Sequence, residues 1–168
     1  MNRSIFCGLV LAASIFGACA QQKKAATAGT ETKAPGIRSI EMHRTACFGK
    51  CPDYLLKIDA DGMATYTGRT NAPYQGTYEK KLDSEKVAEL FANFNRYQVD
   101  TCSEKYKTIP DLAGLNYSID YGDKGEKTIN NANSPFAPKF LQGLGERMDK
   151  LAPIDGSWKK VADAPKKD

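Results

Sequence analysis

Alternation of apolar and polar residues is the feature that most constrains the fold of this chain. Apolar side chains recur at every second position over residues 54–60 and 115–121, which is the period of a β-strand with one buried face. Asp61-Gly62 then predicts a hairpin turn. Four further stretches are strand-like: residues 40–43, 63–67, 75–79 and 126–130. Because strands of this kind bury only one face, we predict an antiparallel sheet of about six strands.

Two segments change to the helical period. The first is predicted to begin after Asp83 as N-cap and to run to about Tyr97, with apolar residues recurring every three or four positions. The second is predicted from Ser134 as N-cap and Pro135 as the first helical residue to Leu151. Half-buried strands need a covering layer, so the sequence predicts a two-layer α+β domain with both helices on one face of the sheet.

Composition divides the chain into four parts. The stretch before residue 37 has no aliphatic side chain larger than alanine after residue 19, which is typical of a flexible tether. We predict a signal peptide at 1–18, a tether at 19–36, one folded domain at 37–154 and a flexible tail at 155–168. Similarity between residues 54–59 and 116–120 also suggests a ββα-type duplication within the domain.

The N-terminal residues predict export. Arg3 precedes an uncharged, mostly apolar run over residues 5–16; such a run is typical of a secretory signal and is shorter than the roughly 20 residues that a membrane-spanning helix needs. Residues 15–19 resemble a bacterial lipobox, which implies that Cys19 is lipidated and begins the mature protein. The alternative is an ordinary cleavage site that leaves a soluble protein beginning at Gln21.

The residue after Cys19 bears on location. Resemblance to lipoproteins implies an outer-membrane anchor facing the periplasm, because Ala20 stands where an aspartate commonly retains such proteins in the inner membrane. A soluble periplasmic protein and a surface-exposed one remain the alternatives.

The net charge of +4 does not belong to the predicted domain. Arg3, the lysines of residues 19–36 and those of residues 155–168 account for the excess, which leaves residues 37–154 with 16 basic and 16 acidic side chains. Binding to nucleic acid depends on concentrated positive charge. The sequence therefore predicts no nucleic-acid partner.

A cysteine pair with three residues between its members is the most specific motif. Cys47 and Cys51 flank Phe-Gly-Lys and are followed by Pro52. An oxidising compartment favours a disulfide, which requires a tight turn because the two Cα atoms must lie within about 7 Å. Thiol exchange or copper binding, with His43 as a further ligand, is the alternative. The Cys-x-x-x-Cys-Pro pattern resembles that of thioredoxin-fold copper chaperones, but in those proteins the motif begins a helix, whereas here a strand is predicted after Pro52.

The residues around this pair carry a resemblance to a known family. Residues 44–54 contain the pattern C-F-G-x-C-P-x-Y, a hairpin with the Asp61-Gly62 turn follows, and Tyr106 and Asp111 match a later Y-x-x-x-x-D pattern. This arrangement resembles a family of uncharacterised bacterial envelope lipoproteins over most of residues 37–151. The family has no assigned activity, so the resemblance implies a domain boundary and no chemistry. Cys102 lies outside the pattern.

The chain lacks the residue patterns of common catalytic sites. His43 is the single histidine, and no G-x-S-x-G, Walker, G-x-G-x-x-G or H-E-x-x-H pattern occurs. We therefore expect no enzyme and no cofactor. Tyr66, Tyr74 and Tyr78 are candidates for an exposed aromatic binding surface. The expected function is that of a lipid-anchored, non-catalytic binding or accessory module whose partner is an envelope protein or glycan.

Overall fold

Seven antiparallel strands form one sheet in the computed structural model, which describes residues 36–164. The strands are β1 (Ser39–Arg44), β2 (Tyr54–Asp59), β3 (Met63–Gly68), β4 (Gly76–Lys81), β5 (Leu115–Asp120), β6 (Glu126–Ile129) and β7 (Lys159–Ala162). The helices are α1 (Ser84–Arg96) and α2 (Lys139–Leu151). The strand order is β6-β5-β1-β2-β3-β4-β7. Neither helix is long and apolar enough to cross a bilayer.

The alternating residues divide the sheet into a buried and a polar face. Ile40 and Met42 of β1 lie opposite Ile58 and Leu56 of β2, and all four are buried. On β5 the buried residues are Leu115, Tyr117 and Ile119. Both helices pack over this face; the hydroxyl of Tyr117, for example, donates to the carbonyl oxygen of Leu141 in α2 at 2.6 Å. The predicted two-layer α+β architecture is confirmed.

Helix α1 begins where its sequence predicts. The carboxylate of Asp83 accepts hydrogen bonds from the backbone N–H groups of Glu85 and Lys86, which satisfies two of the donors that a helix start leaves unpaired. Val87 and Phe94 are fully buried against the sheet. Local capping and amphipathic spacing therefore suffice to define this element.

Helix α2 begins later than predicted. Ser134 caps a turn rather than the helix, because its hydroxyl accepts from the N–H of Phe136 and its carbonyl accepts from the N–H of Ala137. The helix starts after Pro138, since a proline disfavours helical geometry in the residue before it. Phe136, which lies within the predicted bounds of this helix but before its actual start, is consequently 64% exposed.

The seventh strand corrects both the strand count and the predicted flexible tail at 155–168. Trp158 is buried, its ring centre lies 6.2 Å from that of Tyr66, and its Nε1–H donates to the carbonyl of Pro153 at 2.8 Å. This anchored side chain leads directly into β7, which pairs with β4. Residues 165–168 lie outside the described part.

The suggested duplication is only partly reflected in the fold. The two similar segments form β2 and β5, which flank β1 on its two sides. Helix α2 follows the hairpin of β5 and β6, but a further strand, β4, separates the hairpin of β2 and β3 from α1. The segments therefore hold equivalent places in the sheet without forming a regular ββα repeat.

Candidate functional site

Four loops gather at one end of the sheet. They follow β1, β3 and β6 and precede β5, and antiparallel pairing places all of these strand termini together: Arg44, for example, lies opposite both Tyr54 and Leu115. We call this surface the loop end and define it by residues 45–53, 69–75, 102–114 and 130–138. The described chain enters β1 from Gly36 at the opposite end.

The loop between β1 and β2 is closed by the predicted disulfide. Cys47 and Cys51 are bonded, with their Cα atoms 5.4 Å apart, and the N–H of Gly49 donates to the Sγ of Cys47 at 3.3 Å. This tight turn leaves Phe48 at its tip with 91% of its surface exposed. The disulfide limits the motion of the backbone that carries this exposed aromatic ring.

His43 and Asp53 fasten the same loop to its neighbour. Nε2 of His43, on the polar face of β1, lies 2.9 Å from Oδ1 of Asp53. The backbone of Asp53 also donates to the carbonyl of Thr70 and accepts from the N–H of Arg69, at 2.9 and 2.8 Å. His43 therefore positions Asp53, whose backbone joins loop 45–53 to loop 69–75.

The other loops are joined by similar bonds. Thr45 and Gly114 exchange two hydrogen bonds at 3.0 and 2.7 Å. The amide Nδ2 of Asn131 donates to the carbonyl of Tyr106 at 3.1 Å, and the hydroxyl of Ser134 donates to the carbonyl of Lys107 at 2.8 Å. Because the bonds run between loops, the loop end is a connected surface rather than four independent segments.

Exposed apolar side chains concentrate on this surface. Within residues 36–164, seven large hydrophobic residues are exposed, and five of them lie on the four loops. They are Phe48 at 91%, Phe136 at 64%, Leu112 at 62%, Ile109 at 38% and Tyr74 at 38%. Single exposed apolar residues are ordinary on protein surfaces, but a set on one end of a domain is typical of an interaction site.

A charged cluster lies beneath the disulfide loop on the helix side. Asp149 of α2 accepts from Nε and Nη2 of Arg44 at 3.0 and 2.6 Å and from the hydroxyl of Tyr54 at 2.7 Å. Burial and the hydrogen bond to Asp149 raise the pKa of Tyr54 above its usual value. The hydroxyl therefore stays protonated and serves as a donor. Arg44 and Asp149 neutralise each other, so the cluster adds no net charge.

A cavity of about 210 Å³ adjoins this cluster. Its lining residues are Pro52, Tyr54, Leu56, Tyr66, Pro73, Asp149, Ala152 and Ile154. Pro52 and Pro73 belong to the loop end and are exposed, whereas Leu56, Tyr66 and Ala152 are buried. The cavity therefore has an apolar floor and reaches the surface between two of the loops.

The three candidate tyrosines do not form the exposed surface expected of them. Tyr66 is 1% exposed, because it occupies a helix-facing position of β3 and leans over Gly68, where any side chain would meet its ring. Tyr78 is half-buried and donates to the carbonyl of Gln75 at 3.2 Å. Tyr74 alone lies on the exposed part of the loop end.

The candidate thiol and lipid sites are distributed as follows. Cys47 and Cys51 form the disulfide, and His43 is engaged by Asp53. Among residues 36–164, no three His, Cys, Asp or Glu side chains lie close enough together to hold a metal ion. Cys102, half-buried, is a free thiol whose pKa burial raises. Cys19 and the predicted signal peptide lie outside the described residues.

The hydrogen-bond partners of Asp149 and the exposure of Phe136 have no signal in the local sequence. The partners of Asp149 lie 95 and 105 residues away in the chain, and the exposure of Phe136 follows from the late start of α2. Leu112 and Ile109 could have been noticed as large apolar residues within a polar, irregular segment.

Comparisons with known proteins place the domain without assigning it an activity. Neither the curated proteins nor the solved structures include a significant match to this chain. A protein-family profile matches residues 38–152, a range that holds the disulfide loop, both helices and six of the seven strands. The chain belongs to the family described as domain of unknown function DUF6438.

Proposed function

We propose that this protein is a non-catalytic binding module, anchored in the cell envelope by lipid on Cys19, whose loop end binds a partner protein. The observation that carries the proposal is the concentration of exposed apolar side chains on loops that hydrogen bonds and a disulfide hold together. Phe48 and Phe136 are the principal anchors because aromatic side chains contribute most strongly at the centres of interfaces.

The chemistry of the surface favours a protein over a glycan. Sugar-binding platforms use exposed rings surrounded by polar groups, and at the loop end only Tyr74 combines an exposed ring with a hydroxyl. Phe48, Leu112 and Phe136 have hydrocarbon side chains, which a protein partner can cover with apolar side chains of its own. The ammonium of Lys107 lies 5.5 Å from the ring centre of Phe136 and places one positive charge at the edge of this surface.

The connectivity of the chain suits an anchored binder. The described chain joins β1 at the end of the sheet opposite the loops. A tether between Cys19 and residue 36 would therefore attach to the end that does not carry the binding surface. About 17 residues of flexible chain extend roughly 20–25 Å in root-mean-square terms, which is enough to hold a domain clear of a lipid surface.

Thiol exchange or copper handling is the second candidate function, and the geometry supports it less well. Its three residues are Cys47, Cys51 and His43; the cysteines close a loop between strands, and His43 is hydrogen-bonded to Asp53. Thiol alkylation and Cu(I) titration of the full chain decide between the candidates. A pair that resists mild reductant and binds no Cu(I) supports the binding module, and stoichiometric Cu(I) binding supports the alternative.

The proposed function is tested by complex formation in detergent extracts of the native envelope. We expect the wild-type chain to migrate on native gels in a complex that contains a second protein. The double variant Phe48→Ser/Phe136→Ser should lose this complex, because each central aromatic anchor contributes about thirtyfold or more in affinity.

Val161→Ser is the matched control. Val161 is 44% exposed on β7 and belongs to none of the four loops, although its neighbour Ala162 pairs with Thr77 next to residues 69–75. The substitution therefore tests whether apolar exposure beside the loops, rather than on them, contributes to the complex. It should leave the complex intact. Equal migration of the double variant and the wild type, or loss of the complex with Val161→Ser alone, would refute the assignment of the loop end.

For the anchor, Cys19→Ala should release the protein from membranes.

A further inference from the structure

One residue in the lining of the cavity beneath the loop end carries an unsatisfied polar group. Tyr66 lines the cavity and is 1% exposed, and its hydroxyl is a buried side-chain polar atom without a hydrogen-bond partner in residues 36–164. A buried hydroxyl without a hydrogen-bond partner destabilises the fold, because it gives up its bond to water and gains none in return. A phenylalanine would fill the same space without this cost, so the hydroxyl points to a ligand that completes its hydrogen bonding.

The remaining lining determines what kind of ligand fits. Pro52, Leu56, Pro73, Ala152 and Ile154 present apolar surface. This surface favours an apolar group, since displacing poorly hydrogen-bonded water from such a site is favourable.

Asp149 is the single ionisable acid in the lining, and its charge is already paired. Both of its oxygens accept hydrogen bonds, one from Tyr54 and the other from Arg44. A cationic ligand would compete with Arg44 for the same carboxylate, and an anionic ligand would meet no basic side chain in the lining. The ligand group is therefore uncharged.

The volume limits the size of the inserted group. About 210 Å³ lies below the roughly 300–1,000 Å³ of pockets that enclose drug-sized ligands. It suits one apolar side chain together with the adjoining part of a peptide backbone. A carbonyl oxygen of that backbone can accept the hydrogen bond that the Tyr66 hydroxyl leaves unmade.

We propose that this cavity is the binding site for a single uncharged apolar side chain from an extended segment of the partner protein, with a backbone carbonyl of that segment accepting from the hydroxyl of Tyr66. The inference rests on the proposed function, because the cavity opens between loops of the loop end. The inference specifies what the partner must present: an exposed, extended segment with an uncharged apolar side chain that enters the cavity.

The test uses three capped amino acids as probes. They are the N-acetyl methylamides of leucine, aspartate and lysine, which share a backbone and differ in the side chain. Trp158 is the only tryptophan in the chain and its ring lies 6.2 Å from that of Tyr66. Its indole N–H signal in a nitrogen–proton correlation spectrum of the full chain therefore reports on the cavity.

We expect the leucine probe to shift this signal saturably, with weak affinity, and the two charged probes to leave it unchanged. Tyr66→Phe should weaken the binding of the leucine probe about three- to tenfold, the range for one net hydrogen bond. Tyr121→Phe is the matched control, because Tyr121 is also buried but does not line the cavity. A second variant, Ile154→Ser, removes an apolar lining group and should weaken the same probe.

The inference is overturned if the leucine probe gives no saturable shift, if all three probes act alike, or if neither Tyr66→Phe nor Ile154→Ser weakens binding. These outcomes are separable from those of the complex-formation test. Loss of the complex on Phe48→Ser/Phe136→Ser, combined with no probe binding, retains the loop end as the interface and removes the cavity from it.

Discussion

At the scale of single residues, the cluster around Asp149 joins α2 to the sheet below the disulfide loop. The alternation of β1 predicts that His43 and Arg44 point to opposite faces, and each meets a carboxylate there, Asp53 and Asp149 respectively. The faces were predictable from the period of two. The carboxylate partners were not, since they depend on how distant segments pack rather than on local spacing.

Replacing Asp149 with Asn should destabilise the protein by about 1–3 kcal/mol, because it leaves the partly buried guanidinium of Arg44 without its counter-charge. Urea unfolding measures this effect. The control is Asp123→Asn in the exposed pair with Arg38, whose side chains are 99% and 63% exposed; such pairs contribute about 1 kcal/mol at most. Equal losses in the two variants would contradict the role assigned to Asp149.

At the scale of elements, predictability follows the amount of buried surface in each segment. Strands β1, β2, β3 and β5 and helix α1 each bury one face, so their periodicity is visible in the sequence. Strands β4 and β6 each bury a single residue and are indicated instead by the turns beside them. All four residues of β7 are exposed, and this strand is held by edge pairing to β4. A short exposed strand with two lysines has no alternation to detect. Trp158, a large aromatic in a polar tail, was the available signal.

Removing the Cys47–Cys51 disulfide tests how much the loop between β1 and β2 contributes to stability. Cys47→Ser/Cys51→Ser should lower the free energy of unfolding by about 2 kcal/mol, the chain-entropy contribution of so short a loop. The fold should persist because the loop lies outside the core. Urea unfolding and circular dichroism give the two quantities. Loss of the folded state in the double variant would show that the loop supports the core, contrary to this account.

At the scale of the whole molecule, buried tyrosines couple stability to alkaline pH. Burial raises the pKa of Tyr66 and Tyr121 to about 12, and it also raises the pKa of Tyr54 and Tyr117. Above the usual tyrosine pKa of about 10, the unfolded chain loses these protons before the folded one. The folded state then binds more protons, so its stability is complete below about pH 10 and falls as pH rises.

Thermal melting between pH 8 and 11 tests this coupling. We expect the melting temperature to hold steady at the lower end and to fall progressively above about pH 10. Tyr121→Phe should reduce the slope. A Cys102→Ser background removes the free thiol of residues 36–164 and so limits thiol exchange at high pH. A melting temperature that does not change across this interval would contradict the assigned burial of the tyrosines.

Also at this scale, the sequence predicted the domain and its disulfide loop but not where a partner would bind. The candidate tyrosines follow from strand periodicity, as those outside the buried positions predicted for residues 54–60 and 115–121, whereas the exposed apolar set depends on which strand ends meet. The central claim is that this loop end contacts a partner protein directly.

Photocrosslinking in cells tests that claim most directly, with a photoreactive phenylalanine analogue placed singly at Phe48, Phe136 or Lys124. Lys124 lies in the turn between β5 and β6, at the opposite end of the sheet, and is exposed. The account predicts that Phe48 and Phe136 crosslink to the same protein and that Lys124 does not. Crosslinks from Lys124 alone, or none from either loop position, would contradict it.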